Sequence, residues 1–281
     1  MSLTVLITGC SSGIGAAMAW ELHQRGHKVY ATARRPETLA PLADLGLSTL
    51  ALDVDDDSSI AAAMAVVESE QGRLDMLVNN AGFSQVGAVL DLQRDVLRRQ
   101  YETNVISPVS VTRAAMPLLR AGRAAKGQAL VVNMGSIVGL LTTPFAGAYC
   151  SSKAALHSLT DALRMELLPF GIRVINVQPG GVRSSFGDHA EEAMQIPEDS
   201  LYQPVAAGIR ARSQAGQQGA TPVAEFIRPV VDSLLRDNPP AIIRGGNKSV
   251  LLPLLNKLLP VRRFDALVSK VFGLDRFQPD Q

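Results

Sequence analysis

Short apolar runs alternate with longer stretches of helical periodicity along this chain. The runs cover residues 4–8, 28–33, 48–52, 76–79, 129–134, 172–178 and 241–243. Between most of them apolar positions recur every three to four residues, for example over 14–25, 58–71, 95–119 and 148–168. Brief apolar runs bounded by turn residues suit strands, and the longer amphipathic stretches suit helices. Strand and helix in strict alternation predict an α/β fold, a doubly wound parallel sheet covered on both faces.

Two regions break the rhythm. Residues 183–222 are polar, rich in Gly, Gln, Ser and Ala, and follow a strand, which predicts a mobile flap with short helices. Residues 250–277 place Leu, Val and Phe at roughly helical spacing among Lys257, Arg262, Arg263 and Lys270, an amphipathic pattern. Such a tail packs on its own domain or a partner subunit, or it docks peripherally on a membrane surface. No Gly/Ser-rich or Pro-rich linker and no fixed-period repeat divides the chain. Residues 1–249, flap included, therefore form one domain, and 250–281 are a tail of that same domain.

Composition narrows the possibilities. A length of 281 residues suffices for one α/β domain with a full core. The formal net charge is +1, with acidic and basic residues intermixed, so no long-range field attracts nucleic acid. Cys10 and Cys150 form neither a metal cluster nor a disulfide framework, which makes a reduced cytoplasm the simplest compartment and a bound metal unexpected. No secretory leader is expected from the first residues. No segment reaches the roughly 18–20 uncharged apolar residues of a membrane span.

The first run ends in Thr8-Gly9-Cys10-Ser11-Ser12-Gly13-Ile14-Gly15, and a helix follows at once. Glycines allow a tight turn and let a pyrophosphate approach bare N–H groups at the helix N-terminus. The spacing G-x-x-x-G-x-G matches neither G-x-G-x-x-G nor a P-loop, so alone it equally describes an ordinary strand-to-helix turn. In dinucleotide folds an acidic residue at the end of the second strand holds the ribose 2′-hydroxyl. Here that place reads Ala33-Arg34-Arg35. Arginine binds a 2′-phosphate with a fork of charged hydrogen bonds, where a carboxylate would repel it. The expected cofactor is NADP(H), unless both arginines are merely solvated loop charges. Asp53, followed by Val54, ends the third run. Its carboxylate can accept from an adenine amino group or cap the helix before Ser58. Asn80-Ala81-Gly82 after the fourth run are small residues that permit close approach to a ribose.

Tyr149 and Lys153 stand at i and i+4 on a predicted helix and share a face. A free phenol has a pKa of about 10. A nearby ammonium and a cationic nicotinamide are expected to lower it, so that the phenol can exchange a proton near neutral pH. Ser136 follows the fifth run, at the carboxyl edge where open α/β sheets bind ligands, and can orient a substrate carbonyl. Standing alone it would be an ordinary turn serine. Asn104 lies in an otherwise apolar helical stretch. Buried asparagine needs partners: it either holds a water linking Lys153 to solvent or marks a helix irregularity.

Taken together, these residues resemble the short-chain dehydrogenase/reductase family over about residues 3–245. The Gly9/Gly13/Gly15 loop, Asp53, Asn79 to Gly82, Asn104, Ser136, Tyr149, Lys153 and Pro179-Gly180 follow the family's order and spacing. The resemblance implies a seven-stranded, single-domain Rossmann-like sheet. It implies that Tyr149 is the proton donor and acceptor, Lys153 binds the nicotinamide ribose, Ser136 positions substrate and Asn104 anchors a water relay. Pro179, Gly180, Val182 and Ser184 resemble the family's nicotinamide-side loop, with Ser184 where threonine is usual. Arg34 follows the position of the family's NAD-selecting acid, held here by Ala33, as in its NADP-preferring branch. Residues 29–35 and 199–202 and the tail look similar to a lipid-linked branch that includes 1-acyldihydroxyacetone-phosphate reductases, with 17β-hydroxysteroid and retinol dehydrogenases as relatives. That implies a role in lipid metabolism, an apolar carbonyl substrate, and a homodimer or homotetramer. The competing reading is an inactive NADP(H)-binding regulator on the same fold. The complete Ser136/Tyr149/Lys153 set argues against it, because a sensor has no need of a tuned phenol.

Overall fold

In the computed structural model, which describes residues 2–194 and 196–277, the apolar runs are strands. They are β1 (Thr4–Ile7), β2 (Lys28–Ala33), β3 (Ser48–Ala51), β4 (Met76–Asn79), β5 (Ala129–Met134), β6 (Ile172–Pro179) and β7 (Ile242–Gly245). They form one 7-stranded sheet in the order β3-β2-β1-β4-β5-β6-β7, parallel throughout. The strand order reverses direction between β1 and β4, so their carboxyl ends open the crevice in which such sheets hold ligands.

Helices α1 (Gly13–Gln24), α2 (Ala40–Asp44), α3 (Asp57–Gln71), α4 (Arg94–Tyr101), α5 (Ser107–Lys126) and α6 (Gly147–Leu167) fill the crossovers. Then come α7 (Phe186–Glu192), α8 (Ala206–Gln214), α9 (Val223–Leu234), α10 (Leu251–Leu258) and α11 (Val261–Val271). Successive strand side chains point to opposite faces. Val5, Ile7, Met76 and Val78 pack against Met18 and Leu22 of α1 and Phe226 and Val230 of α9. Leu6, Leu77 and Val131 pack against Ile60 and Val67 of α3 and Val111 and Leu119 of α5. Both faces are covered, which is why the strands read as continuous apolar runs.

The helix predicted over 95–119 is not one helix. It is α4, a π-helical turn at Glu102–Ile106 and then α5, which runs on to Lys126. Pro108 lacks the N–H that would bond back to Asn104, and the ladder widens just before it. Residues 36–44, to which no element was assigned, form a 3₁₀ turn and α2.

The flap carries the short helices α7 and α8, as expected; its residue 195 lies outside the described residues. The tail is two helices separated by Pro260, and residues 278–281 of the predicted tail lie outside the described residues. Phe272 of the tail packs with Val86, Phe145, Val205 and Ile209, and Asn256 donates to the Leu140 carbonyl at 3.1 Å. The tail thus rests on its own flap and on the turns after β4 and β5. Its other side leaves Val250, Leu251, Leu254, Leu258, Val261, Leu267 and Val271 exposed. Among the described residues no helix is long and apolar enough to cross a membrane, and no cluster of metal-ligating side chains occurs.

Candidate active site

The crevice is built by tying the end of β1 to the end of β4. Thr8 Oγ1 accepts the N–H groups of Asn80 and Ala81, each at 3.0 Å. Asn80 Nδ2 donates to the Thr8 and Gly9 carbonyls, each at 2.9 Å. Gly9 sits in the left-handed region at φ +72°, and a Cβ there would stand 2.8 Å from the Ala81 Cα. A Cβ on Gly15 would run into the Gly9 carbonyl. The loop is therefore closed tightly by the Gly9 backbone and the Asn80 side chain. Gly13 and Ile14 open α1, and Ser12 gives that helix no side-chain cap, while Ser11 is exposed. The amides of the first turn stay available to an anion. Cys10 is no redox group: burial pushes its thiol up to about 12, and its Sγ donates to the Ile7 carbonyl.

At the end of β2, Arg34 and Arg35 are exposed and form no ion pair among the described residues. Two unengaged guanidinium groups beside a glycine loop fit a phosphorylated ribose. Asp53 does not cap the next helix. Asp56 does, accepting from the Ser58 N–H at 2.9 Å. One Asp53 oxygen accepts the Asp55 N–H at 3.1 Å beside buried Val54.

Asn104 occupies the π turn, so its sequence-level alternative of a helix irregularity describes the backbone correctly. Its side chain is fully engaged: Oδ1 accepts the Phe83 N–H at 3.1 Å, and Nδ2 donates to the Phe83 carbonyl at 3.0 Å and to Ser152 Oγ at 3.1 Å. Gly82 leaves room here, since a Cβ on it would lie 3.0 Å from Asn104 Oδ1 and 3.7 Å from Lys153 Nζ.

The α6 face then brings the reacting groups to the end of β5. Lys153 is buried, and its Nζ donates to the Met134 carbonyl at 2.7 Å, 5.8 Å from the centre of the Tyr149 ring. Burial alone lowers the Lys153 ammonium to about 8. Tyr149 keeps part of its ring exposed, but its hydroxyl lies deep. Burial pushes the phenol up to about 12, opposed by the nearby Ser136 hydroxyl. The anticipated lowering of this phenol is thus not supplied by the protein itself. Lys153 points at a carbonyl rather than at the phenol oxygen, and desolvation of the phenolate wins. Ser136 starts the turn after β5, its Oγ accepting from the Val138 N–H at 3.3 Å.

The loop after β6 closes the crevice from the other side. Pro179 ends the strand, Gly180 donates to the Gly245 carbonyl at 2.8 Å, and Val182 is buried. Ser184 donates its N–H to Gln217 Oε1 at 3.0 Å, and its Cβ lies 3.2 Å from where a Gly13 Cβ would be. Ser12 and Ser185 hydroxyls meet at 2.8 Å. The Phe186 ring stands 5.6 Å from that of Tyr149. The contacts draw the glycine loop to the Asn80-Ala81 turn and to Ser184 and Ser185, and they bring Lys153 to the end of β5. Phe186 of the flap packs against Tyr149. Sequence reasoning overlooked Thr8, Phe186 and His157. His157 was discoverable, because it repeats the i, i+4 spacing of Tyr149 and Lys153. Phe186 was not, because nothing in a loop's periodicity shows which way it folds.

The comparisons with known proteins agree with this geometry. The model of the short chain dehydrogenase family matches residues 3–195. The short-chain dehydrogenase cctT of Talaromyces islandicus is 36% identical over 284 aligned residues, covering 98% of this chain and 97% of the relative. The 3-ketodihydrosphingosine reductase of Bacteroides thetaiotaomicron is 37% identical over 186 residues, covering 66% of each protein. Among solved structures, a short-chain dehydrogenase from Streptomyces avermitilis superposes with a TM-score of 0.79 at 32% identity, covering 98% of both chains.

Proposed function

The chain belongs to the short-chain dehydrogenase family, and from that premise we propose that it is an NADP(H)-dependent oxidoreductase interconverting a carbonyl and an alcohol. The observation that carries this reading is the convergence of Ser136, Tyr149 and Lys153 at the carboxyl end of β5, beside the glycine loop. Gly9, Ser11, Ser12, Gly13, Ile14 and Gly15 hold the pyrophosphate, Arg34 and Arg35 the 2′-phosphate, and Asp53 and Val54 the adenine. Asn80, Ala81 and Gly82 border a ribose, Lys153 bonds the nicotinamide ribose, and Pro179, Gly180, Val182 and Ser184 line the nicotinamide. The bound dinucleotide supplies the hydride.

The chain's own groups do the rest. Ser136 donates a hydrogen bond to the carbonyl oxygen and orients it. Tyr149 gives that oxygen its proton, and in the oxidative direction takes it back. The phenol, held up by burial in the protein alone, carries its proton at neutral pH and so has one to give. The Lys153 ammonium, 5.8 Å from the ring centre, would favour the phenolate left behind only together with a cationic nicotinamide. Asn104, adjoining the Lys153 ammonium across Gly82, supports a water path by which the phenolate regains a proton.

The substrate side is apolar. Phe186 packs against the Tyr149 ring, and Phe145, Tyr202 and Phe272 share an apolar cluster of the flap and tail. This supports a bulky apolar or lipid-like ketone or aldehyde, in keeping with the long-chain ketone named for the Bacteroides relative. Exposed Met165, Leu168 and Phe170 at the end of α6 support pairing with a second copy. The exposed leucines of α10, bordered by Lys257, Arg262 and Arg263, support contact with an anionic lipid surface.

The test is NADPH oxidation across acyl-dihydroxyacetone phosphates, steroids, retinal and short β-ketoacyl esters, followed by Tyr149→Phe with the best of them. The variant is expected to keep NADPH binding and lose turnover by roughly 10²-fold or more. Unchanged turnover would remove Tyr149 from the chemistry.

A further inference from the structure

Beyond Lys153, the same face of α6 carries His157. Its imidazole lies between Gly135 and Gly139, the glycines that flank the Ser136 turn. A Cβ on Gly135 would stand 2.5 Å from His157 Nε2, and one on Gly139 would stand 2.5 Å from Cε1. Neither glycine has a positive φ. Space, rather than an unusual backbone, is what demands glycine on both sides of Ser136: for this ring at Gly139, and for this ring and Asn176 Oδ1 at Gly135. His157 Nε2 accepts the Ser136 N–H at 3.3 Å.

The ring is held neutral. Burial first, and then the Lys153 charge, push it down to about 4. A neutral imidazole that accepts through Nε2 carries its proton on Nδ1. His157 Nδ1 is buried without a hydrogen-bond partner. An unmet buried donor is destabilising, and an apolar side chain would fill the same slot without that cost. What the imidazole adds is an acceptor facing the Ser136 amide.

We propose that His157 is a positioning residue: by accepting the Ser136 N–H it fixes the turn and aims the Ser136 hydroxyl at the substrate carbonyl. The proposal rests on the reading of Ser136 as the group that orients that carbonyl. His157 touches neither substrate nor cofactor and acts only through the turn.

The test is a mutant cycle with 9,10-phenanthrenequinone, a flat apolar diketone, as the carbonyl probe. His157→Met fills the ring's space without a strong acceptor, and His157→Gln restores one. His157→Met is expected to lower kcat roughly tenfold or more while the NADPH Kd stays within about twofold, since a small misplacement of a positioned group is costly. His157→Gln is expected to recover to within about threefold of the parent. In a Ser136→Ala background His157→Met is expected to add little, because both changes remove one function. If the two losses multiply, the proposal is overturned while Ser136 keeps its role. If Ser136→Ala has no effect, the reading of Ser136 fails and takes the proposal with it. A second readout needs no turnover: ¹⁵N spectra of the folded protein should show His157 as the Nδ1–H tautomer. An Nε2–H tautomer cannot accept from Ser136 and would overturn the proposal whatever the kinetics.

Discussion

Replacing Lys153 by methionine should make this protein more stable and less active. The side chain is 5% exposed, and burial lowers its ammonium from 10.5 to about 8. Each tenfold change in proton affinity corresponds to about 1.4 kcal/mol, so keeping the lysine charged costs the fold roughly 3 kcal/mol wherever folded and unfolded chains both carry the proton. That condition holds below pH 8. Between pH 8 and 10.5 the unfolded chain still binds the proton and the folded chain has released it, so this cost fades and stability rises with pH. Methionine removes the charge and keeps the length. It also leaves the Met134 carbonyl without the Nζ donor at 2.7 Å, which gives back about 1 kcal/mol. The net expectation is a gain of about 2 kcal/mol at pH 7. Urea unfolding followed by the fluorescence of Trp20, the 1 tryptophan in the chain, measures it without added dinucleotide. From pH 7 to about pH 9.5 the parent should gain roughly 2 kcal/mol relative to Lys153→Met. The difference between the proteins is the readout. Burial holds the Cys10 thiol and the Tyr149 phenol up at about 12, so both groups lower stability above pH 9, and equally in each protein. Parallel pH dependence in the two proteins, or a less stable variant at pH 7, would refute the reasoning.

Arg34→Ala together with Arg35→Ala should weaken NADPH binding by roughly 10- to 100-fold and leave NADH binding nearly unchanged, as loss of charge-assisted bonds to a single phosphate requires. Fluorescence titration of both dinucleotides checks this, and an equal loss for both would mean that the arginines only support the loop. Leu254→Glu with Leu258→Glu should reduce sedimentation with vesicles containing anionic lipid roughly tenfold while leaving the melting temperature alone, because both leucines are exposed. Unchanged sedimentation would remove the lipid contact.

How much of this was legible in the chain depended on what kind of signal each part leaves. All the strands could be read because a parallel strand covered on both faces, such as β5 with Ala129, Val131 and Val132, is apolar at nearly every position. The glycine loop could be read because Gly9 cannot be anything else at φ +72° with Ala81 against it. The break at Asn104 was readable only as an alternative, because a π turn leaves a polar residue in an apolar stretch but does not say what it binds. In the protein without dinucleotide the Tyr149 phenol stands higher than the spacing suggests, for a related reason. Spacing places Lys153 on the phenol's side of the helix, whereas the Met134 carbonyl that captures its ammonium comes from another element. Asp53 was ambiguous because Asp53 and Asp56 both precede α3, and only the backbone path selects Asp56 as the cap.

The described contacts also separate chemistry from specificity. Along one face of α6, Tyr149 meets the Ser136 hydroxyl, Lys153 the Met134 carbonyl, His157 the Ser136 amide and Thr160 the Asn133 side chain. One rigid helix therefore holds the end of β5 at successive points, and the geometry of proton transfer depends on elements buried in the core. The walls of the apolar side are held differently. Phe145 meets Tyr202 edge-on at 6.2 Å, and Tyr202 stacks on Phe277 at 6.2 Å, so aromatic contacts join the turn after β5, the flap and the tail beside the bonds from Arg212 to Thr143 and from Asn256 to Leu140. The aromatic contacts adapt by rotation, whereas Lys153, His157 and Thr160 hold the end of β5 by directional hydrogen bonds. Substitutions at Tyr202 or Phe277 should therefore change KM for a bulky carbonyl and spare both NADPH affinity and the proton-transfer step. Substitutions at Tyr149 and His157 should instead lower kcat and leave both KM and NADPH affinity nearly unchanged. A Tyr202→Ala variant whose kcat fell with KM unchanged would show that the flap and the catalytic frame are one mechanical unit.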